Sequence, residues 1–250
     1  MRGFTKMLSF LLAAVICLGA FAMPALADVT AVRDLGDGSV EVRWDDADAY
    51  ELRYVPKTGD DYQADLDTYG YLYEDIDGKS KVVMYHFAPG QSYWVTTNSS
   101  STPYAYKAAR AGNFTEWRTA PKVTSFVLRE KSMEGKFQAV DYFYSNDIEK
   151  SGNMTSYGIK WQMTYPQLKN PRSFLWQIVI TTPDDIRYVY IADGGLTLPA
   201  GRSWIEDDYR EMDTFFNAML DTRGEIPIGT YTFSIYWDGL HACSATFKVR

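Results

Sequence analysis

The stretch Ser39-Val40-Glu41-Val42-Arg43-Trp44, followed after an acidic turn by Tyr50-Glu51-Leu52-Arg53-Tyr54, decides how this chain is read. Val40, Val42 and Trp44 fall on one face of an extended segment, and Glu41 and Arg43 fall on the other. Tyr50, Leu52 and Tyr54 repeat the alternation. A period of two with branched and aromatic residues on the apolar side is the pattern of half-buried strands. Asp45-Asp46-Ala47-Asp48 supplies the turn between them.

Working outward, turn clusters recur at short spacing: Asp37-Gly38, Gly59-Asp60, Asp77-Gly78, Pro89-Gly90, Pro183-Asp184-Asp185, Gly194-Gly195 and Asp238-Gly239. Strands separated in this way predict an all-β chain built from antiparallel β-sandwiches. Residues 28–119 form one module and residues 122–250 a second, with the boundary at Thr119-Ala120-Pro121-Lys122, where proline stops a strand. In the second module, strands are expected at 137–144, 157–165, 174–180 and 187–191. A closing hairpin follows, in which Tyr231, Phe233, Ile235 and Trp237 face inward and Asp238-Gly239 makes a type I′ turn. His241, Cys243, Ala245, Phe247 and Val249 alternate on the returning strand. One amphipathic helix is expected over 206–220, because Tyr209, Met212, Phe216 and Met219 recur at helical spacing. Ser203 with Glu206 would form its capping box, and Asp207 and Asp208 suit its positive end.

Three segments of the first module resemble a fibronectin type III domain: Gly38 to Trp44, Tyr50 to Tyr54, and Phe87-Ala88-Pro89-Gly90-Gln91-Ser92-Tyr93-Trp94-Val95. The resemblance covers residues 28–119. It implies that Trp44 is the core tryptophan and that the Tyr93 hydroxyl bonds back to the chain near the Pro89-Gly90 turn. The long, acidic, tyrosine-rich stretch from Gly59 to Ser80 departs from that family. The last strand pair, a Gly-x-Tyr strand ending in Trp-Asp-Gly, resembles bacterial immunoglobulin-like modules over about twenty residues.

The N-terminus speaks to location. Arg2 and Lys6 are followed by an apolar run from about Met7 to Ala22, then Pro24 and Ala25-Leu26-Ala27. This is the order of a secretory signal peptide, cleaved between Ala27 and Asp28. The run is shorter than the ~20 residues a membrane-spanning helix needs. A secreted, extracellular or cell-surface protein without a membrane span is expected. Losing Arg2 and Lys6 takes the net charge from −7 to −9, which argues against a nucleic-acid partner. Of the two cysteines only Cys243 follows the cleavage site, so no intrachain disulfide is expected. Glycosylation sequons stand at Asn98, Asn113 and Asn153.

Chemistry is sparse. His86 and His241 are the only histidines. His241 and Cys243 would share a strand face, but at that spacing their Cβ atoms are ~7 Å apart. No nucleophile elbow, P-loop, paired-cysteine or HExxH motif occurs, and no cofactor, catalytic residue or metal ligand is assigned. Asp75-Ile76-Asp77-Gly78 matches the opening of a calcium loop but lacks its terminal glutamate. The compositional signal is aromatic, with seven tryptophans and nineteen tyrosines. Tyr69, Tyr71, Tyr73, Tyr104 and Tyr106 lie among turn-forming residues, either as inward-facing edge-strand residues or as rings for stacking on sugars or proteins. Three functions stay open. The first is a secreted non-catalytic binding, adhesion or accessory protein recognising an extracellular carbohydrate or protein, as type III modules in bacterial carbohydrate-active and adhesive proteins imply. The second is a small hydrolase with a glycosidase-like carboxylate pair, and the third is a structural or assembly subunit.

Overall fold

The computed structural model describes residues 28–46, 48–100, 102–151 and 155–250. The expected signal segment with its expected cleavage residue Ala27, and the sequon at Asn153, lie outside them. The chain is mostly β, with 50% strand and 11% helix.

Seven strands build the first sandwich: β1 (Val29–Asp34), β2 (Val40–Trp44), β3 (Glu51–Pro56), β4 (Leu72–Asp75), β5 (Lys81–Met84), β6 (Ser92–Thr97) and β7 (Tyr104–Lys107). They form a three-stranded sheet in the order β1-β2-β5 and a four-stranded sheet in the order β4-β3-β6-β7. Every pair is antiparallel. Val40, Val42 and Trp44 meet Leu52, Tyr54, Tyr93 and Val95 in one core. The alternation thus continues through β3, except that Tyr50 precedes the strand and is exposed. The Tyr93 hydroxyl accepts from the Ala88 amide at 2.9 Å, pinning the Pro89-Gly90 turn. Burial pushes the Tyr93 pKa well up, so it stays a neutral phenol.

The stretch from Gly59 to Ser80 holds a helix that the sequence pattern did not show, α1 (Tyr62–Tyr69). The Asp61 side chain caps it, accepting from the amides of Gln63 and Ala64. Gly70 ends it at φ 63°.

The second sandwich comprises β8 (Lys122–Ser132), β9 (Phe137–Val140), β10 (Thr155–Thr164), β11 (Arg172–Thr181), β12 (Arg187–Leu198), β13 (Trp204–Glu211), β14 (Gly229–Trp237) and β15 (Leu240–Val249). Two four-stranded sheets, β13-β10-β8-β9 and β12-β11-β14-β15, enclose a large aromatic core. Phe174 stacks on Trp237 and Tyr231 on Phe247, each with ring centroids 5.1 Å apart. A short helix, α2 (Ser145–Ser151), and a longer one, α3 (Asp213–Arg223), complete it.

Three expectations are corrected here. The helix predicted over 206–220 is two elements: residues 204–211 are the edge strand β13, paired with β10, and the helix runs from Asp213 to Arg223. Met212, Phe215, Phe216 and Met219 are its buried face, whereas Tyr209 belongs to the strand. The Ser203–Glu206 capping box does not form. Asp213 turns its carboxylate back onto the Tyr157 amide at 2.7 Å and the Ser156 hydroxyl, and the Met212 amide bonds to Tyr157 O.

Next, the strand predicted to reach Tyr144 stops at Val140, and the chain crosses to the other sheet, where Phe143 bridges Val249. Finally, His241 and Cys243 do not share a face. A β-bulge at Ala242 lets Tyr236 oppose His241 while Ile235 opposes Cys243, so one side chain points out and the other in. The core raises the Cys243 thiol to about 12, which leaves it inert.

Phe114 and Trp117 lie before the expected boundary but pack onto the second core. Phe114 is buried against Trp237 at 5.4 Å, and Trp117 stacks on Tyr165. The sandwiches also meet directly. Gln177 donates to Tyr85 O at 2.6 Å and to Gly38 O at 3.3 Å, and Arg187 donates to Pro89 O at 2.8 Å. The Asp238-Gly239 turn presses on the Asp37-Gly38 turn so closely that a Cβ on Gly239 would lie 2.8 Å from Gly38 N. Both glycines have positive φ, so neither accepts a side chain.

Candidate binding face

The exposed side of the β4-β3-β6-β7 sheet carries a run of rings interleaved with cations. Leu52 and Tyr54 point into the core, so Arg53 points out, opposite Tyr73 on β4. Tyr71 and Tyr73 stand next to each other with centroids 6.4 Å apart, and Tyr73 is 57% exposed. The Arg53 guanidinium lies 4.6 Å above the Tyr71 ring and is held there by Glu51.

α1 extends the row. It delivers Tyr62 edge-on to Trp94 at 6.2 Å, and the Lys57 ammonium sits 3.7 Å over the Trp94 ring. Lys57 is itself anchored by Gly59 O and Asp60. Under this layer Asp65 is 5% exposed. It accepts from Trp94 Nε1 at 2.8 Å, from the Thr58 amide at 3.1 Å and from the Thr58 hydroxyl. Burial alone would raise its pKa, but these hydrogen bonds overcome that and hold it below the usual carboxylate range. The carboxylate thus fixes the indole, on which Tyr62 and Lys57 pack.

The five tyrosines singled out from sequence separate into three places. Tyr71 and Tyr73 belong to this face. Tyr69 ends α1 and turns toward the second sandwich, where the Arg223 guanidinium lies 5.2 Å over its ring and pairs with Asp184 at 2.8 Å. Tyr104 and Tyr106 sit on the far edge strand β7, opposite Val95 and Tyr93, with Tyr106 packed on Phe87 at 5.4 Å. Sequence reasoning missed Tyr62, Trp94, Arg53 and Lys57. The only signal for them was the outward parity of Arg53 and Trp94.

A smaller aromatic pair lies on the second sandwich. Tyr209 rests on the backbone of Gly158, where a Cβ would come within 2.3 Å of its ring, and half-exposed Phe137 meets it at 5.0 Å. Lys131 and Arg129 reach the Phe137 ring at 5.6 Å. Beside it runs a broad open depression containing Glu130 and Glu134. Burial and the Asp147 charge push Glu130 up, and Glu134 is tied to Lys136 at 2.7 Å.

Among the described residues, no three His, Cys, Asp or Glu side chains gather as a metal set. In the Asp75-Asp77 turn Ile76 is fully buried, and Lys79 donates to Asp75 O. The sequon residue Asn98 uses its side-chain oxygen to accept from the Tyr50 and Glu51 amides, and Asn113 pairs with β15. No helix among the described residues is long and apolar enough to cross a membrane. No protein-family model matches the chain, and no curated protein matches its sequence.

Proposed function

We propose that this chain is a secreted, non-catalytic binding protein that holds an extracellular polysaccharide on the Tyr73–Tyr71–Tyr62 face, with Trp94 buried beneath Tyr62 and Lys57. The observation that carries the reading is the anchoring of that row. Arg53 and Lys57 each have a hydrogen-bond partner and the buried indole is held by Asp65 before any ligand arrives, so little side-chain entropy is lost on binding. Flat rings present apolar faces to the C–H surfaces of a pyranose, and Arg53 and Lys57 supply donors to its hydroxyls.

In this reading the first sandwich is a fibronectin type III module. The 3 + 4 strand order and the Tyr93–Ala88 bond support it. The second sandwich is an immunoglobulin-like module, supported by its closing hairpin. A glycosidase would need two free carboxylates facing across a cleft. Glu130 and Glu134 line an open depression and one is already paired, so the geometry favours binding over hydrolysis.

Affinity electrophoresis against a panel of neutral and acidic polysaccharides tests the proposal. At least one should retard the protein. Tyr71→Ala and Tyr73→Ala should each weaken that retardation by roughly twofold to tenfold, the value of an aromatic contact worth about 0.5–1.5 kcal/mol. Equal retardation of the variants and the parent would move the site elsewhere, and no retardation by any polymer would end the carbohydrate reading.

A further inference from the structure

One end of the second sandwich is charged against the sign of the molecule, whose net charge is −7. Three segments meet there: residues 115–122 leading into β8, residues 165–172 between β10 and β11, and residues 199–204 leading into β13. The Tyr165 amide donates to Ser203 O and the Gly201 amide to Leu168 O, both at 2.9 Å. Gln167 donates to Gly201 O, and Trp117 stacks on Tyr165. Together the segments hold five cations, Arg118, Lys122, Lys169, Arg172 and Arg202, against a single carboxylate, Glu116.

These cations are presented to solvent instead of being neutralised. Glu116 is already paired with Arg172. The other four are exposed, and among the described residues none of them has a carboxylate at ion-pair distance. Strand parity aligns part of the patch. Val123 and Ile205 pack on the core, so Lys122 and Trp204 face outward on either side of Thr164, in register with it. Two strand spacings separate them, about 10 Å. The Arg202 guanidinium lies 4.1 Å over the Trp204 ring. Stacking on the indole orients the planar fork without using its N–H donors. The next carboxylate along β13, Glu206, stands two residues further from this end, opposite Gln162.

We infer that this end of the second sandwich binds an acidic polysaccharide, one that carries carboxylates or sulfates on its sugars. Charge complementarity sets the sign of the ligand, because clustered cations without partners attract an anion even on a protein that is negative elsewhere. Charge density sets its class. The cations are spread over three segments, with about 10 Å between Lys122 and the Arg202–Trp204 pair, a spacing suited to charges separated by sugar rings. Duplex DNA presents a charge about every 1.7 Å and would lay most of its phosphates against a net-negative molecule. The Arg202 fork matches a carboxylate in two-pronged fashion, and Lys122, Lys169 and Arg118 act as point charges around it. This inference is independent of the aromatic face on the first sandwich and gives the molecule a second, charge-selective contact.

The test is titration calorimetry of the intact protein with dextran sulfate and with dextran, which share a backbone and differ in sulfate, and with polygalacturonate as the carboxylated probe. Both acidic polymers should bind more tightly than dextran. Their log K should fall against log salt with a slope of roughly −2 to −3, the release of up to four counterions at about 0.7 each. Lys122→Gln and Arg202→Gln should each weaken binding about twofold to fivefold, the value of an exposed ion pair, and make the slope shallower by about 0.7. Arg202→Lys should keep the slope, and Tyr71→Ala should change neither quantity. Circular dichroism checks that each variant is folded. Equal affinity for dextran and dextran sulfate overturns the inference, as does an unchanged slope in both glutamine variants. Tighter binding of duplex DNA or polyphosphate at equal charge concentration overturns the polysaccharide class. A loss confined to Tyr71→Ala overturns the site, because the acidic polymer would then sit on the other face. Failure of both acidic polymers to bind at low salt also overturns it, and leaves the Tyr71–Tyr73 face to its own test.

Discussion

Asp65 is one residue on which a surface depends. It lies on α1, is nearly fully buried, and satisfies Trp94 Nε1 together with the amide and hydroxyl of Thr58. Removing it leaves buried donors without acceptors, each worth about 1–3 kcal/mol. Asp65→Ala should therefore lower unfolding stability by roughly 2–4 kcal/mol at neutral pH, measured by urea titration. The pH dependence follows from the sign of the shift. The folded pKa is held below its ordinary value, so the stabilisation is complete above the ordinary value and fades as pH falls through the folded one. The gap between parent and Asp65→Ala should narrow on going from pH 6 to pH 3. A gap that stays constant across that range would show that packing, not the charge, sets the cost. Nothing in the sequence singled out this carboxylate among thirty-two acidic residues, because its partners come from the loop after β3 and from β6. Tyr71 and Tyr73 were legible because an i,i+2 pair on a strand margin meets without any tertiary information.

At the scale of elements, alternation was enough where a strand has one wet and one dry face, as in β2 and in β15 from Ser244 onward. It failed where a tertiary partner decides. β13 is acidic and sits at an edge, so its sequence shows no apolar stripe, and Tyr209 falls by coincidence three residues before the true helical face of α3. The bulge at Ala242 is a second case, since an alanine in an alternating run carries no sign of doubling. It also yields an unusual expectation. Removing Ala242 leaves Tyr236 opposite His241 and Ile235 opposite Cys243, turning the hairpin into a regular ladder with both faces preserved. That deletion should fold, and native Cys243 should stay unreactive toward a thiol reagent. Removing Ser244, only two residues on, turns one side of the strand over and should expose the thiol or unfold the sandwich. Comparable reactivity in the two deletions would contradict the assigned bulge. Circular dichroism separates exposure from unfolding.

At the scale of the molecule, the sequence divides into two modules, but the chain joins them more tightly than a linker would. Pro121 marks the start of β8 correctly, yet Phe114 and Trp117 before it already serve the second core, so a break in strand pattern is not a break in packing. The Tyr93 hydroxyl that pins the first module's turn also donates to Arg187 O of the second at 3.4 Å. α1 and α3 meet where Gly70 lies against Thr222, with a 2.6 Å approach for any added Cβ. Gln177, fully buried, and Arg187 carry the polar part of the contact. Two sandwiches sharing buried hydrogen bonds and an apolar seam of Ala88, Val179 and Tyr236 should melt together. Scanning calorimetry of the parent should give one transition, with calorimetric and van't Hoff enthalpies in agreement. Gln177→Ala with Arg187→Ala removes the donors to Tyr85 O, Gly38 O and Pro89 O at the seam, three bonds worth about 0.5–1.5 kcal/mol each. The double variant should split the endotherm into two, the lower one belonging to the smaller first sandwich. If it still melts in a single step at a merely lower temperature, the coupling resides instead in Phe114 and Trp117. Phe114→Ala, which empties the second core next to Trp237, should then be the change that separates the transitions.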